Sequence, residues 1–140
     1  MSSNKLICYE NNYFRVQHCG DCFIAGHLVV FPKQDVRSLS ELSVQALQEL
    51  GNVLKISHAI VEKIIQPERI YTLSFGEVLP LIHFHVLPRT SEILKQYKLQ
   101  NKTEEVNGAL IFDWARKYYA DKQPENYLQL IAEINHGFKN

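Results

Sequence analysis

The stretch Leu81-Ile82-His83-Phe84-His85-Val86-Leu87-Pro88-Arg89 constrains this chain more than any other. Successive residues of a strand point to opposite faces. Ile82, Phe84 and Val86 therefore share one face suited to a core, and Leu81, His83, His85 and Leu87 share the other. The strand rise sets the two imidazoles about 7 Å apart along one edge, where both reach a single tetrahedral group. A lone histidine on an apolar strand is most often a satisfied core residue. Two at spacing two, away from the aliphatic face and followed by Pro88-Arg89, favour a chemical role on a phosphate.

The rest of the chain supplies a frame for that strand. Cys8 to Val16 reads as two strands joined by a turn at Asn11-Asn12, and Cys19-Gly20-Asp21-Cys22 as a tight turn. Phe23 to Phe31 reads as one apolar strand stopped by Pro32. Ser38 and Glu41 have the spacing of a capping box that opens a long helix. Leu47, Leu50, Leu54, Val61 and Ile64 form its apolar face, and Gln66-Pro67 ends it. Arg69 to Phe75 is a strand, Gly76 to Pro80 a connection and Leu81 to Leu87 another strand. Ala109 to Ala120 and Tyr127 to Ile134 have helical patterns, separated by Asp121-Lys122-Gln123-Pro124. The order predicts an α+β fold around a mainly antiparallel sheet, with one long helix between the motif strands and helices at the C-terminus.

Length and charge narrow the function. A chain of 140 residues fits a single domain, 1–140, with a core over 6–90 and a helical extension over 91–140. Fifteen basic residues balance fifteen acidic ones, so no basic field tracks a polynucleotide. Apolar runs such as Leu28-Val29-Val30-Phe31 fall far short of the ~20 residues that span a bilayer. The polar start, Met1-Ser2-Ser3-Asn4-Lys5, is unlike a signal peptide, which makes a cytoplasmic address the expectation. There Cys8, Cys19 and Cys22 would be free thiols.

His83-Phe84-His85-Val86-Leu87-Pro88-Arg89 resembles the signature strand of the histidine triad (HIT) family, His-x-His-x-His followed by two apolar residues. Ser74-Phe75-Gly76-Glu77-Val78-Leu79-Pro80 resembles the glycine-containing loop of bacterial members. Gly26-His27-Leu28-Val29-Val30-Phe31-Pro32-Lys33 resembles the family's Gly-His strand, and Cys8-Tyr9-Glu10-Asn11-Asn12 its first hairpin. The likeness covers roughly residues 6 to 90 with the motifs in order. It implies a HIT-like fold and a nucleotide hydrolase or nucleotidyl transferase similar to the diadenosine polyphosphate hydrolases. The substrate would be a dinucleoside polyphosphate, phosphoramidate or similar conjugate. The resemblance makes His83 the nucleophile at the α-phosphorus, with a covalent nucleotidyl-histidine (phosphohistidine) intermediate. His85 would donate to a phosphate oxygen or the leaving group, and His27 would pack beside the catalytic rings. It also implies a homodimer whose C-terminal segments lie near the partner's site.

The chemistry fits those residue types. Imidazole is largely neutral near pH 7, and holding one nitrogen as a donor frees the other to attack. Covalent catalysis splits one displacement into two easier ones.

Four positions depart from the pattern. Leu81 stands where the first histidine belongs; in the family that residue's carbonyl is the usual partner of the nucleophile's second nitrogen, which any residue supplies. Glu77 and Val78 replace the Gln and Ser or Thr that bind phosphate oxygens. Cys19 falls nearest the place of the residue that holds the ribose hydroxyls, a contact Asp21 is positioned to take over. Arg89 is either a phosphate-side charge or half of a structural ion pair. These changes keep open a second reading, a non-catalytic nucleotide-binding or regulatory module.

Cys19-x-x-Cys22 beside His18 has a metal-binding spacing, but one pair is weak support, and free thiols are expected over zinc or a redox pair. Some family members hold structural zinc through an N-terminal cysteine pair; this pair comes later in the chain. A three-histidine metal site from His27, His83 and His85 is the competing use of those rings. Phosphorus chemistry is favoured, with no metal or cofactor. His58 and His136 are expected to face solvent or serve structure. Phe112, Trp114, Tyr118, Tyr119 and Tyr127 are expected in a core or dimer contact.

Overall fold

The computed structural model describes residues 3–139; Met1 and Ser2, the first residues of the polar start, and Asn140 lie outside the described residues. Five strands, β1 (Ile7–Glu10), β2 (Phe14–His18), β3 (Leu28–Pro32), β4 (Arg69–Leu73) and β5 (Phe84–Arg89), form one sheet in the order β1-β2-β3-β5-β4. Every pairing is antiparallel. Four helices accompany it: α1 (Val44–Ile65), α2 (Ser91–Asn101), α3 (Gly108–Tyr118) and α4 (Tyr127–Lys139). The fold is α+β, as the sequence predicts.

Strand alternation sorts side chains onto two faces. Phe14, Val16, Leu28, Val30 and Val86 meet α1 and α4 in one core. Val29 and Leu87 point the other way, against Ile93 and Tyr97 of α2 and Ile111, Phe112 and Ala115 of α3. The Asn11 turn forms as expected, its side-chain oxygen accepting from the Tyr13 and Phe14 amides at 2.8 Å each. Among the described residues, no helix is long and apolar enough to cross a membrane.

The long helix differs from expectation at its start and on its buried face. The Ser38–Glu41 capping box forms, but it closes only the 3-10 turn Leu39–Glu41. Leu42 and Ser43 are then extended, and Ser43 caps α1 by accepting from the Ala46 amide at 3.1 Å. Ala46, Leu50, Val53, Ser57, Ile60 and Val61 make the buried line, whereas Leu47 remains 39% exposed. Leu50 and Val61 are buried and Leu54 and Ile64 pack against the same core, so the leucine spacing finds the face and errs at Leu47. The sequence pattern also leaves α2 undrawn; Thr90 caps it, accepting from the Ile93 amide at 3.2 Å.

The strand expected over Phe23 to Phe31 begins only at Leu28. A turn interrupts it, with the His27 amide donating to the Ile24 carbonyl at 3.0 Å and Gly26 at φ +83°. That is a type II turn, whose third position demands positive φ. Pro32 ends the strand as expected, as the last residue of β3 and still paired with Phe14. The Lys33 amide donates toward β2, so the missing Pro32 donor faces the β5 side, where pairing has already ended at Val30↔Phe84.

A β-carbon on Gly26 would fall 2.6 Å from Ile65 Cγ1, besides adopting a backbone region costly for L residues. Gly26→Ala is expected to destabilise the protein by about 2 kcal/mol or more, read from urea unfolding. In an Ile65→Ala background the added cost should shrink; a loss under about 0.5 kcal/mol in the native background would refute the packing argument.

Candidate active site

His83 immediately precedes β5, in a segment pinned where the Ile82 amide donates to the Val36 carbonyl at 2.8 Å. The Leu81 carbonyl lies 2.8 Å from His83 Nδ1. A carbonyl only accepts, so this bond keeps the proton on Nδ1 and leaves Nε2 with its lone pair. The ring stacks on Phe31 of β3, centroids 5.7 Å apart and 18° between planes. His85 is the second residue of β5, paired with Val29 on one side and Leu73 on the other. The two rings lie 5.2 Å apart by centroid, with 69° between their planes.

His27 completes the group. The Gly26 turn delivers it, fully buried, with Nε2 3.0 Å from His85 Nδ1 and Nδ1 3.5 Å from Cys22 Sγ. Its carbonyl accepts from the Cys19 amide at 2.8 Å, closing the Cys19–Gly26 loop at its base. His18, also fully buried, accepts from the Gly26 amide at 3.0 Å through Nε2 and donates from Nδ1 to the Cys19 carbonyl at 3.1 Å. Burial holds the His18 pKa down to about 4. Burial, followed by the charges of His27, Arg116 and His83, pushes His85 down to about 3, so His85 is neutral through the physiological range. The Cys22 thiol points at Cys19 Sγ, 3.9 Å away. That contact draws the Cys19 pKa well below the usual thiol range and drives Cys22 upward.

A cavity of about 670 Å³ opens beside these rings. Cys19, Asp21, Glu77, His83 and His85 all line it. His27 sits behind them. The Leu81 side chain lines a neighbouring depression with Arg15 and Phe31. Arg89 does not reach the cavity: its guanidinium donates to the Tyr71 hydroxyl at 3.3 Å and lies 3.7 Å from Glu68. His58 is likewise tied elsewhere, to the Thr72 hydroxyl at 2.7 Å.

Sequence reading missed the wall contributed by α3. Phe112 packs edge-on against His85 at 5.2 Å and His27 at 6.2 Å, and faces Phe75 at 6.1 Å. Arg116, one turn later, lies over Phe112 at 5.5 Å and 4.0 Å from Asp21. It is the only lysine or arginine among the described residues lining the cavity. The i, i+4 spacing of an aromatic and an arginine was the available signal. Trp114 and Tyr118 stack on each other at 4.7 Å, and Tyr127 is buried against His18 in the first core.

A family model described as HIT domain matches residues 2–92. The chain belongs to the histidine triad family. Three solved HIT-fold structures align over nearly its whole length. A hypothetical histidine triad nucleotide-binding protein from Sulfolobus tokodaii strain 7 shares 18% identity at a TM-score of 0.66, covering 96% of this chain and 84% of that one. A HIT-like protein involved in cell-cycle regulation from Bartonella henselae shares 17% at 0.61, covering 98% and 88%. A zinc-bound histidine triad family protein from Mycobacterium smegmatis shares 14% at 0.60, covering 96% and 84%. At such identities the likeness speaks for the fold. No curated protein sequence matches.

Nitrogen-15 spectra of the histidine rings should find the neutral His83 ring protonated at Nδ1, as the Leu81 carbonyl requires. A predominant Nε2–H form would contradict the geometry.

Proposed function

We propose that this HIT protein cleaves a nucleotide conjugate at the α-phosphate, as a hydrolase or nucleotidyl transferase, with His83 as nucleophile. The observation that carries this reading is the His83 Nδ1 bond to the Leu81 carbonyl, which leaves Nε2 free beside the cavity. In the first step an Nε2–phosphorus bond forms and the bond from phosphorus to the leaving group breaks. His85, neutral and holding one ring proton, donates a hydrogen bond to the departing atom, which takes its proton from solvent in the open cavity. Water then attacks phosphorus and loses a proton to solvent as the nitrogen–phosphorus bond breaks, which frees the nucleoside monophosphate and restores His83; another acceptor would instead carry the nucleotidyl group away. A single well-placed donor at such a developing charge contributes about 2.7–4 kcal/mol.

Leu81 fits this scheme because it serves through its carbonyl. Glu77 and Val78 offer no phosphate donor, and Val78 is fully exposed. In their place Arg116 supplies positive charge from α3. Asp21, its carboxylate 4.0 Å from Arg116, is the candidate ribose contact, while Phe75 and Phe112 give the base an apolar wall. The homodimer implied by the family resemblance belongs to this reading, as does the nucleotide as ligand.

His83→Ala should abolish turnover of dinucleoside polyphosphates and phosphoramidates while AMP still binds, and acid-quenched wild type should yield a nucleotidylated protein. Full activity in the variant would reject the mechanism. AMP binding by wild type without turnover of a broad nucleotide panel would select the non-catalytic reading, which the exposed Glu77 and Val78 favour. Arg116→Gln should weaken nucleotide binding by roughly tenfold to a hundredfold, the scale of one hydrogen bond to a charged group at about 1.5–3 kcal/mol. Unchanged affinity in calorimetry would remove Arg116 from the scheme.

A further inference from the structure

We propose that Cys19, Cys22 and His27 bind one divalent cation of the zinc class, with a fourth position open to solvent in the cavity. The three donor atoms lie within 4.8 Å of one another and all three residues are buried. Zinc–sulfur bonds of about 2.3 Å and zinc–nitrogen bonds of about 2.0–2.1 Å at tetrahedral angles require sulfur–sulfur edges of about 3.8 Å and sulfur–nitrogen edges of about 3.6 Å. The Cys19 Sγ to Cys22 Sγ separation is 3.9 Å, and Cys22 Sγ to His27 Nδ1 is 3.5 Å. Two edges of the coordination tetrahedron are thus already drawn. A disulfide, by contrast, would need the sulfurs to close to about 2.05 Å.

Charge and hydrogen bonding agree. Two thiolates, a neutral imidazole and a divalent cation sum to zero, so the filled site buries no net charge. A metal-bound histidine ordinarily donates its other ring N–H to an acceptor that fixes its orientation. His27 has that acceptor in His85 Nδ1, 3.0 Å from its Nε2. Metal on Nδ1 obliges Nε2 to carry the proton, which in turn makes His85 a donor through its own Nε2. The Cys19 amide bond to the His27 carbonyl joins the two ends of the loop that carries the ligands, so the site is organised before metal arrives. The cluster ends at three such donors among the described residues, and Cys19 also lines the cavity, which is where solvent reaches the fourth position. Thiolate and imidazole ligands in tetrahedral array select zinc over magnesium or calcium.

The site does not depend on the His83 chemistry, and its test requires no turnover. Untagged protein, purified without added metal or chelator, should carry about one zinc by elemental mass spectrometry. Cobalt exchanged into it should show thiolate-to-metal charge transfer and the intense visible bands of a tetrahedral ion. Cys19→Ser and Cys22→Ser should each reduce the charge-transfer band to about half, while Cys8→Ser, altered in the first core, should leave it unchanged. Wild type that holds no stoichiometric zinc and takes up cobalt without a thiolate band would overturn the proposal. So would native protein isolated two hydrogens lighter, as a Cys19–Cys22 disulfide.

Discussion

The site depends on the antiparallel pairing of β3 with β5, a ladder of only three residue pairs: Leu28↔Val86, Val29↔His85 and Val30↔Phe84. This register sets His85 beside the strand that His27 leads into and brings Phe31 under the His83 ring. A slip of one residue would send both histidines to the opposite face, into the core packed on α1. The register is protected from both ends. Val86 and Val30 are fully buried in one core and Leu87 in the other, and the Gly26 turn fixes where β3 may begin.

Much of this was legible in the sequence, because it follows from short-range rules. Alternation along Phe84 to Leu87 set the strand faces, although the strand expected from Leu81 begins only at Phe84, and the Gly-His and His-x-His motifs carried the family. Leu81 at the first triad position left the carbonyl in use, as expected of a group every residue owns. What escaped depends on tertiary contact. The buried line of α1 runs through Ala46 and Ser57, which no hydropathy pattern would select. The true start of β3 hangs on one positive φ at Gly26. Arg89 could be assigned to either role from sequence, and only Tyr71 and Glu68 decided between them. Arg116 reaches the cavity across a separation in sequence that motif spacing does not encode.

The electrostatic character of the site follows from the same packing. Phe112 covers His27 and His85 from α3, and burial keeps the His85 ring neutral. The charged side chains of Arg116, Asp21 and Glu77 line the open cavity in front of it.

The α3 wall also bears on how such a chain can change over time. The family match ends at residue 92, yet Phe112 and Arg116 lie beyond it. A chain cut at that limit would keep every histidine of the site but expose the apolar sheet face of Val29 and Leu87, now sealed by Ile111, Phe112 and Ala115. The C-terminal segment is also tied to the rest of the fold by polar contacts, the Phe23 amide donating to the Tyr119 carbonyl and the Asn135 side-chain amide to the Cys8 carbonyl, each at 2.9 Å. Phe112 both seals that face and lines the cavity, so a change at this one position alters the packing of the sheet and the shape of the cavity together.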